Sequence, residues 1–217
     1  MFKRSWTKKF GKSEIFTKED SYCQNVEIDM VKLADGQSKT YSQEDKEFAL
    51  IILGGKCTIT GKDFNYENIG ERETVFDGNA TCVYVPRNTD FTITGVGEVS
   101  IAVSKCLSVS DHKPVLIKPE DVIAKELGKL GWQRHAMFVL DERVEADQIY
   151  IGECCIEGGQ WSSYPPHKHD DDNMPTEATT DEIYYYEFDK PQGFGIQKVS
   201  QWKARLTKLT LLSPVIL

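Results

Sequence analysis

Short apolar and β-branched runs, cut by Gly, Pro, Asn and Asp, set the rhythm of this chain from residue 48 onward. Residues 48–53 (Phe-Ala-Leu-Ile-Ile-Leu) end at Gly54-Gly55, and residues 57–60 follow before Gly61, which predicts two strands joined by a turn. Runs at 74–76, 81–85, 91–94 and 98–103 continue the pattern. Residues 114–131 break it and predict a connection with a helical turn or two beginning at Pro119. Strands resume at 136–140, 148–156, 182–188 and 194–199. Runs this short and this often punctuated predict an all-β chain, a sandwich or barrel. The interruption predicts two similar units, 1–115 and 116–217, that share a style without a sequence repeat.

The 217 residues are 40% hydrophobic, with 9 Tyr and 10 Phe, which suits a packed core and excludes a disordered chain. A net charge of −8 repels a nucleic-acid backbone. The apolar run at 48–53 is far too short to span a bilayer. The basic start (Lys3, Arg4, Lys8, Lys9, Lys12) has no apolar stretch of the kind a secretory signal carries, so it reads as a solvated end and the cytoplasm is the expected location. The six cysteines lack C-x-x-C spacing and are expected to be buried free thiols.

One stretch carries chemistry. On extended backbone alternate side chains share a face, so His167 and His169 point the same way with Cβ atoms roughly 6–7 Å apart. Two imidazoles at that spacing can converge on one ion. A polar segment, 170–181, reads as a long hairpin loop, and Glu182 then opens an aromatic strand whose return brings a carboxylate to the same ion. Two His and one Glu suit Zn²⁺, Mn²⁺ or Fe²⁺, with Zn or Mn preferred. The run Asp170-Asp171-Asp172 offers a hard-cation alternative but reads as solvated acid. His112, near Pro114, and His135, at a strand start, read as structural or surface residues.

These residues carry a resemblance. The stretches Gly159-Gln-Trp-Ser-Ser-Tyr-Pro-Pro-His-Lys-His-Asp, Asp181-Glu-Ile-Tyr-Tyr-Tyr and Pro191-Gln-Gly-Phe-Gly-Ile-Gln-Lys-Val closely resemble 5-deoxy-glucuronate isomerase of myo-inositol catabolism. The 4-deoxy-5-ketouronate isomerase of pectin breakdown is a related family. Asn68-Ile-Gly-Glu-Arg-Glu-Thr-Val-Phe and Val83-Tyr-Val-Pro are similar to the family's first cupin, and the resemblance covers roughly residues 20–199. It implies a bicupin of two RmlC-like jelly-roll barrels, with the metal in the second. It also implies a ligand set of His167, His169, Glu182 and a later histidine. No histidine follows His169 here.

After Val199 the resemblance stops, and residues 200–217 do not read as a barrel strand. A one-base slip near codons 199–200 accounts for them, since a permissive back-translation in the shifted frame restores a family-like segment. A natural short variant is the alternative. On either reading the second barrel is expected to be incomplete and the chain impaired in metal binding and turnover.

The implied reaction converts 5-deoxy-D-glucuronate, an aldose, to 5-dehydro-2-deoxy-D-gluconate, a ketose. A divalent ion would stabilise the charge that develops on the two reacting oxygens. For the proton shuttle, Glu187, Lys168 and Tyr184 are candidates. Alternation places Tyr184 on the Glu182 face and the other two away from the metal ligands, so Tyr184 is preferred. Arg72 and Arg134 are candidate partners for the substrate carboxylate. The expected partner is thus a small sugar acid, with no nucleic acid or membrane and with homo-oligomerisation left open. The competing readings are a non-catalytic metal- or sugar-acid-binding cupin, an iron-dependent cupin dioxygenase, and a pseudo-enzyme.

Overall fold

The computed structural model describes residues 6–17, 19, 23–42, 44–163, 166–201 and 206–212. Lys3 and Arg4 of the basic start, Pro165 of the motif, and residues 202–205 and 213–217 of the tail lie outside the described residues. Among the described residues the regular structure is all-β apart from one 3-10 turn, and no helix is long and apolar enough to cross a membrane.

The N-terminal half forms one eight-stranded antiparallel sheet. Its strands are β1 (Gly11–Phe16), β2 (Val26–Leu33), β3 (Ser38–Tyr41), β4 (Lys46–Gly61), β5 (Phe64–Ile69), β6 (Cys82–Val85), β7 (Phe91–Leu107) and β8 (Val115–Ile117). The order along the sheet is β1-β2-β7-β4-β6-β8, with β3 added to β7 and β5 to β4. Strand β8 pairs with β6 and so belongs to this sheet, lying across the boundary expected at 115/116.

Both faces of this sheet are buried, by different partners. Val31, Leu33, Phe48, Leu50, Ile52, Val83, Val85, Ile101 and Val103 fill one apolar cluster inside the N-terminal half. Their neighbours in sequence, among them Met30, Ala49, Ile51, Cys82, Tyr84 and Ala102, point the other way. They form a second cluster with Val122, Met137, Val139, Leu140 and Ile149. The C-terminal half therefore docks on the outer face of the first sheet.

The expected turn at Gly54-Gly55 does not form. β4 runs straight through it, with register irregularities on both sides of Gly54. This β-bulge shifts the alternation by one residue, so Cys57 and Ile59 share the cluster of Phe48, Leu50 and Ile52. Glycine is required there. A Cβ at Gly54 would sit 2.1 Å from the Glu73 carbonyl oxygen, and Gly55, at φ +88°, abuts that of Glu98 at 2.0 Å. In the same way the runs at 91–94 and 98–103 are one strand, β7. The run at 74–76 is a turn, not a strand, because the Asp77 carboxylate accepts from the Thr74 N–H and hydroxyl at 2.9 and 2.7 Å.

The connection holds a single 3-10 turn at Pro119–Asp121, and the chain then enters a three-stranded sheet. Its strands are β9 (Ile123–Leu127), β10 (Arg134–Leu140) and β11 (Ile151–Cys155), with β10 central. A last pair, β12 (Gly195–Gln201) and β13 (Leu206–Leu212), is antiparallel. The tail thus supplies a strand where none was expected. Thr210 and Leu212 are buried while Leu209 and Leu211 are exposed, an alternation that a half-buried strand needs.

Buried charges join the halves. Glu47 is fully buried and accepts from the Tyr84 hydroxyl at 2.7 Å and from the N–H groups of Asp147, Gln148 and Ile149 at 3.0, 2.7 and 2.9 Å. Asp147 returns the contact, accepting from the N–H groups of Val109 and Ser110 and from the Ser108 hydroxyl. Of the cysteines, Cys57, Cys82 and Cys106 are buried as expected. Cys154 and Cys155 are exposed, because the strand that carries them lies at the edge of the three-stranded sheet.

Candidate metal centre

Residues 167–169 and 182–188 lie outside the assigned strands, yet residues 182–186 keep the alternation that the sequence implies. Ile183 and Tyr185 turn inward and pack against the second cluster. Glu182, Tyr184 and Tyr186 therefore face the opposite way. The loop between the two segments folds back through an antiparallel bridge, Asn173 to Glu177. The Thr180 N–H donates to the His169 carbonyl at 3.2 Å, which closes the return. Glu182 is thereby delivered beside His169.

One ligand atom each from His167, His169 and Glu182 lies within 4.8 Å of the others. It is the one group of three or more such ligands found among the described residues. The imidazole rings stand 4.8 Å apart at 86°, and His169 Nε2 is 3.2 Å from Glu182 Oε1. Two donors sharing an ion with bonds of about 2.0–2.1 Å are separated by roughly 3.0–3.4 Å, so this contact already has the spacing of co-ligands.

The chemistry of the set fits a divalent ion. His169 Nε2 is buried and makes no hydrogen bond, since the nearby Glu182 oxygen is not aligned with it. A buried nitrogen left unsatisfied is costly unless something else fills its lone pair or takes its proton. Three protein donors are a number that catalytic metal sites use, although the later histidine implied by the resemblance is not in the sequence.

Two further residues orient the side chains of this group. Ser163 Oγ shares a hydrogen bond with His167 Nδ1 at 2.9 Å, which leaves Nε2 as the free nitrogen of that ring. The Tyr184 hydroxyl donates to Glu182 Oε2 at 2.8 Å, and its ring stacks on Tyr186 with centroids 6.1 Å apart. Burial and the adjacent Glu182 push the Tyr184 phenol far above its ordinary pKa, and burial likewise pushes Tyr186 up to about 12. Ser163 is barely marked in the sequence. Its only signal is its place four residues before His167.

Residues 6–212 match the KduI/IolB family. The chain belongs to that family. Among curated relatives, it is 38% identical over 187 residues to a 5-deoxy-glucuronate isomerase from Bacillus velezensis, covering 84% of this chain and 68% of that protein. A 5-deoxy-glucuronate isomerase from Bacillus licheniformis is 40% identical over 186 residues, with the same two coverages. The one from Bacillus subtilis strain 168 is 37% identical over 176 residues, covering 80% of this chain and 65% of that protein. The chain thus spans about two thirds of the length of these relatives. Its fold superposes on the crystal structure of an IolB-like protein from Salmonella typhimurium LT2 with a TM-score of 0.90 at 27% identity, over 95% of this chain and 79% of that one.

The other candidate residues of this KduI/IolB member are distributed as follows. Arg134 donates to the Ser162 carbonyl, and its charge is felt at Tyr184, so it stands beside the cluster. Arg72 is not free to meet a substrate. It is buried, its guanidinium forks onto the Glu153 carboxylate at 2.6 and 2.8 Å, and it also donates to the carbonyls of Ile52 and Gly78. Lys168 is turned to the loop, bound to Asp171 and to Glu177, the latter at 2.6 Å. Those carboxylates hold its pKa above the ordinary lysine range.

Glu187 pairs with Lys8 at 2.8 Å and accepts from the Tyr185 hydroxyl. It lines a cavity of about 460 Å³ that includes none of the three cluster residues. Asp171 and Asp172 are bonded to Lys168 and to the Thr179 N–H, as acids of a folded loop. His135 pairs with Glu126 across the β9–β10 ladder, and His112 lies near Tyr84.

Proposed function

We propose that this chain acts as a 5-deoxy-glucuronate isomerase, the activity named for its Bacillus relatives, converting 5-deoxy-D-glucuronate to 5-dehydro-2-deoxy-D-gluconate. The observation that carries the reading is the convergence of His167, His169 and Glu182. It occurs in the stretch that resembles 5-deoxy-glucuronate isomerases. The two units, 1–115 and 116–217, are read as two cupins, the second incomplete, with the centre in the second.

In the proposed site His167, His169 and Glu182 hold a divalent ion, Zn²⁺ or Mn²⁺. When bound, that ion supplies a Lewis acid for the neighbouring carbonyl and hydroxyl oxygens of the sugar acid. Ser163 and Tyr184 keep two of the ligands in place. The reaction is redox-neutral within the substrate. A proton leaves the hydroxyl-bearing carbon and one is delivered to the former carbonyl carbon, while the hydroxyl oxygen gives up its proton and the former carbonyl oxygen gains one, so one carbon is oxidised, the other reduced, and no co-reactant is consumed.

Tyr184 is read here as a hydrogen-bond donor, not as the base. Its hydroxyl proton is already donated to Glu182 Oε2 at 2.8 Å. Arg134, the arginine beside the cluster, is the proposed partner of the substrate carboxylate.

The test is incubation of the chain with 5-deoxy-glucuronate, followed by NMR, with and without a chelator. Ketose formation that stops on chelation and returns with Zn²⁺ or Mn²⁺ supports the reading. Binding of the sugar acid without any ketose would replace it with a non-catalytic role.

A further inference from the structure

The residue before the carboxylate ligand is tied to the other half of the molecule. Asp181 Oδ2 accepts the backbone N–H groups of both Gln24 and Asn25, each at 2.8 Å. The Glu182 carbonyl accepts the Cys23 thiol at 3.7 Å. Three consecutive residues of the β1–β2 connection thus hold residues 181 and 182, more than 150 positions away in sequence.

The anchor matters because no strand ladder fixes this backbone. Residues 182–188 belong to no assigned strand, so no ladder sets how far Glu182 advances toward His169. On its inner face the segment is held by Ile183 and Tyr185, which are apolar contacts without a fixed register along the chain. A carboxylate that accepts two N–H groups is a directional, charge-assisted fix. Placed one residue from Glu182, it sets the position of that carboxylate relative to the two imidazoles.

We propose that Asp181 is a positioning residue through which the β1–β2 connection of the N-terminal half sets the metal-binding geometry of Glu182. The inference rests on the metal reading of the His167–His169–Glu182 cluster. It adds a dependence of that centre on residues outside the C-terminal unit.

The experiment measures Mn²⁺ and Zn²⁺ affinity of the full chain by competition with a chromogenic chelator. Near-UV circular dichroism and melting of the metal-free protein accompany it. Asp181→Ala removes the acceptor, Asp181→Glu displaces it by one methylene, and Asp181→Asn keeps an acceptor oxygen. Loss of an outer-shell partner typically weakens a metal by about 10–100-fold. The first two substitutions are expected to weaken affinity by about 10-fold or more while the metal-free spectrum is kept, and Asp181→Asn is expected to stay close to wild type. If Asp181→Ala fails to fold, Asp181→Glu gives the answer alone. Wild-type affinity in Asp181→Glu, or an equal loss in Asp181→Asn and Asp181→Ala, overturns the proposal. If Glu182→Gln binds metal as well as wild type does, the metal reading itself is wrong and the proposal falls with it.

Discussion

The Tyr184 hydroxyl occupies one oxygen of the Glu182 carboxylate at 2.8 Å and leaves the other 3.2 Å from His169 Nε2. The phenol thereby decides which oxygen of Glu182 is presented to the imidazoles. This is the outer-shell arrangement by which proteins fix a ligand's orientation and tune its basicity.

Tyr184→Phe keeps the ring stacked on Tyr186 and deletes only the hydroxyl. It is expected to weaken metal affinity by about 10-fold, because Glu182 is then free to rotate. A tyrosine acting as the base would instead leave affinity unchanged and abolish turnover. Isothermal titration of both proteins with Zn²⁺ separates the two. The raised phenol pKa carries a second consequence. The native state holds this proton more tightly than the unfolded chain, so the associated stability is complete below about pH 10 and is lost as pH rises toward the native value. Absorbance titration of the phenol should show Tyr184 ionising later than an exposed tyrosine.

Arg72→Met tests whether that arginine serves the fold or the substrate. It strands the Glu153 carboxylate and two carbonyl oxygens at the contact between the halves. Breaking a buried ion pair in this way costs about 3–5 kcal/mol. Urea denaturation should show that loss, with metal affinity retained. A raised KM for the sugar acid without any loss of stability would return Arg72 to the substrate.

Asp147 makes a pH prediction. The Val109 N–H, followed by the Ser108 hydroxyl and the Ser110 N–H, holds its carboxyl below the ordinary aspartate value despite the opposing effect of burial. The native state therefore binds this proton less readily than the unfolded chain does. The stabilisation is present above about pH 4 and disappears as pH falls through the native pKa. Asp147→Asn should be less stable than wild type at pH 7, and the gap should narrow at pH 3 in urea unfolding curves. A gap independent of pH would contradict the assignment.

The grouping of His167, His169 and Glu182 is legible in the sequence because its signal is local. His167 and His169 are two residues apart, and Glu182 and Tyr184 share a face by simple alternation, which holds even where no strand is assigned. What was not legible depends on tertiary contact. Gly54-Gly55 reads as a turn, but the close carbonyls of Glu73 and Glu98 make it a bulge in a long strand. Arg72 stands between two glutamates in sequence, and nothing there reveals a partner 81 positions away. Asp181 reads as one more acid in a polar loop until the fold brings Gln24 and Asn25 against it. The final strand is not legible because residues 206–212 gain their meaning only from pairing with β12.

The most direct measurement is Zn²⁺ and Mn²⁺ binding by wild type, His169→Ala and Glu182→Gln, each first shown to be folded. Wild type is expected to bind metal through three side chains, more weakly than a centre completed by the later histidine would. Either substitution is expected to weaken binding by more than the roughly 10–100-fold expected for an outer-shell change. A wild type that takes up no metal, or variants that bind as tightly as it does, would contradict the claim that these side chains form one centre.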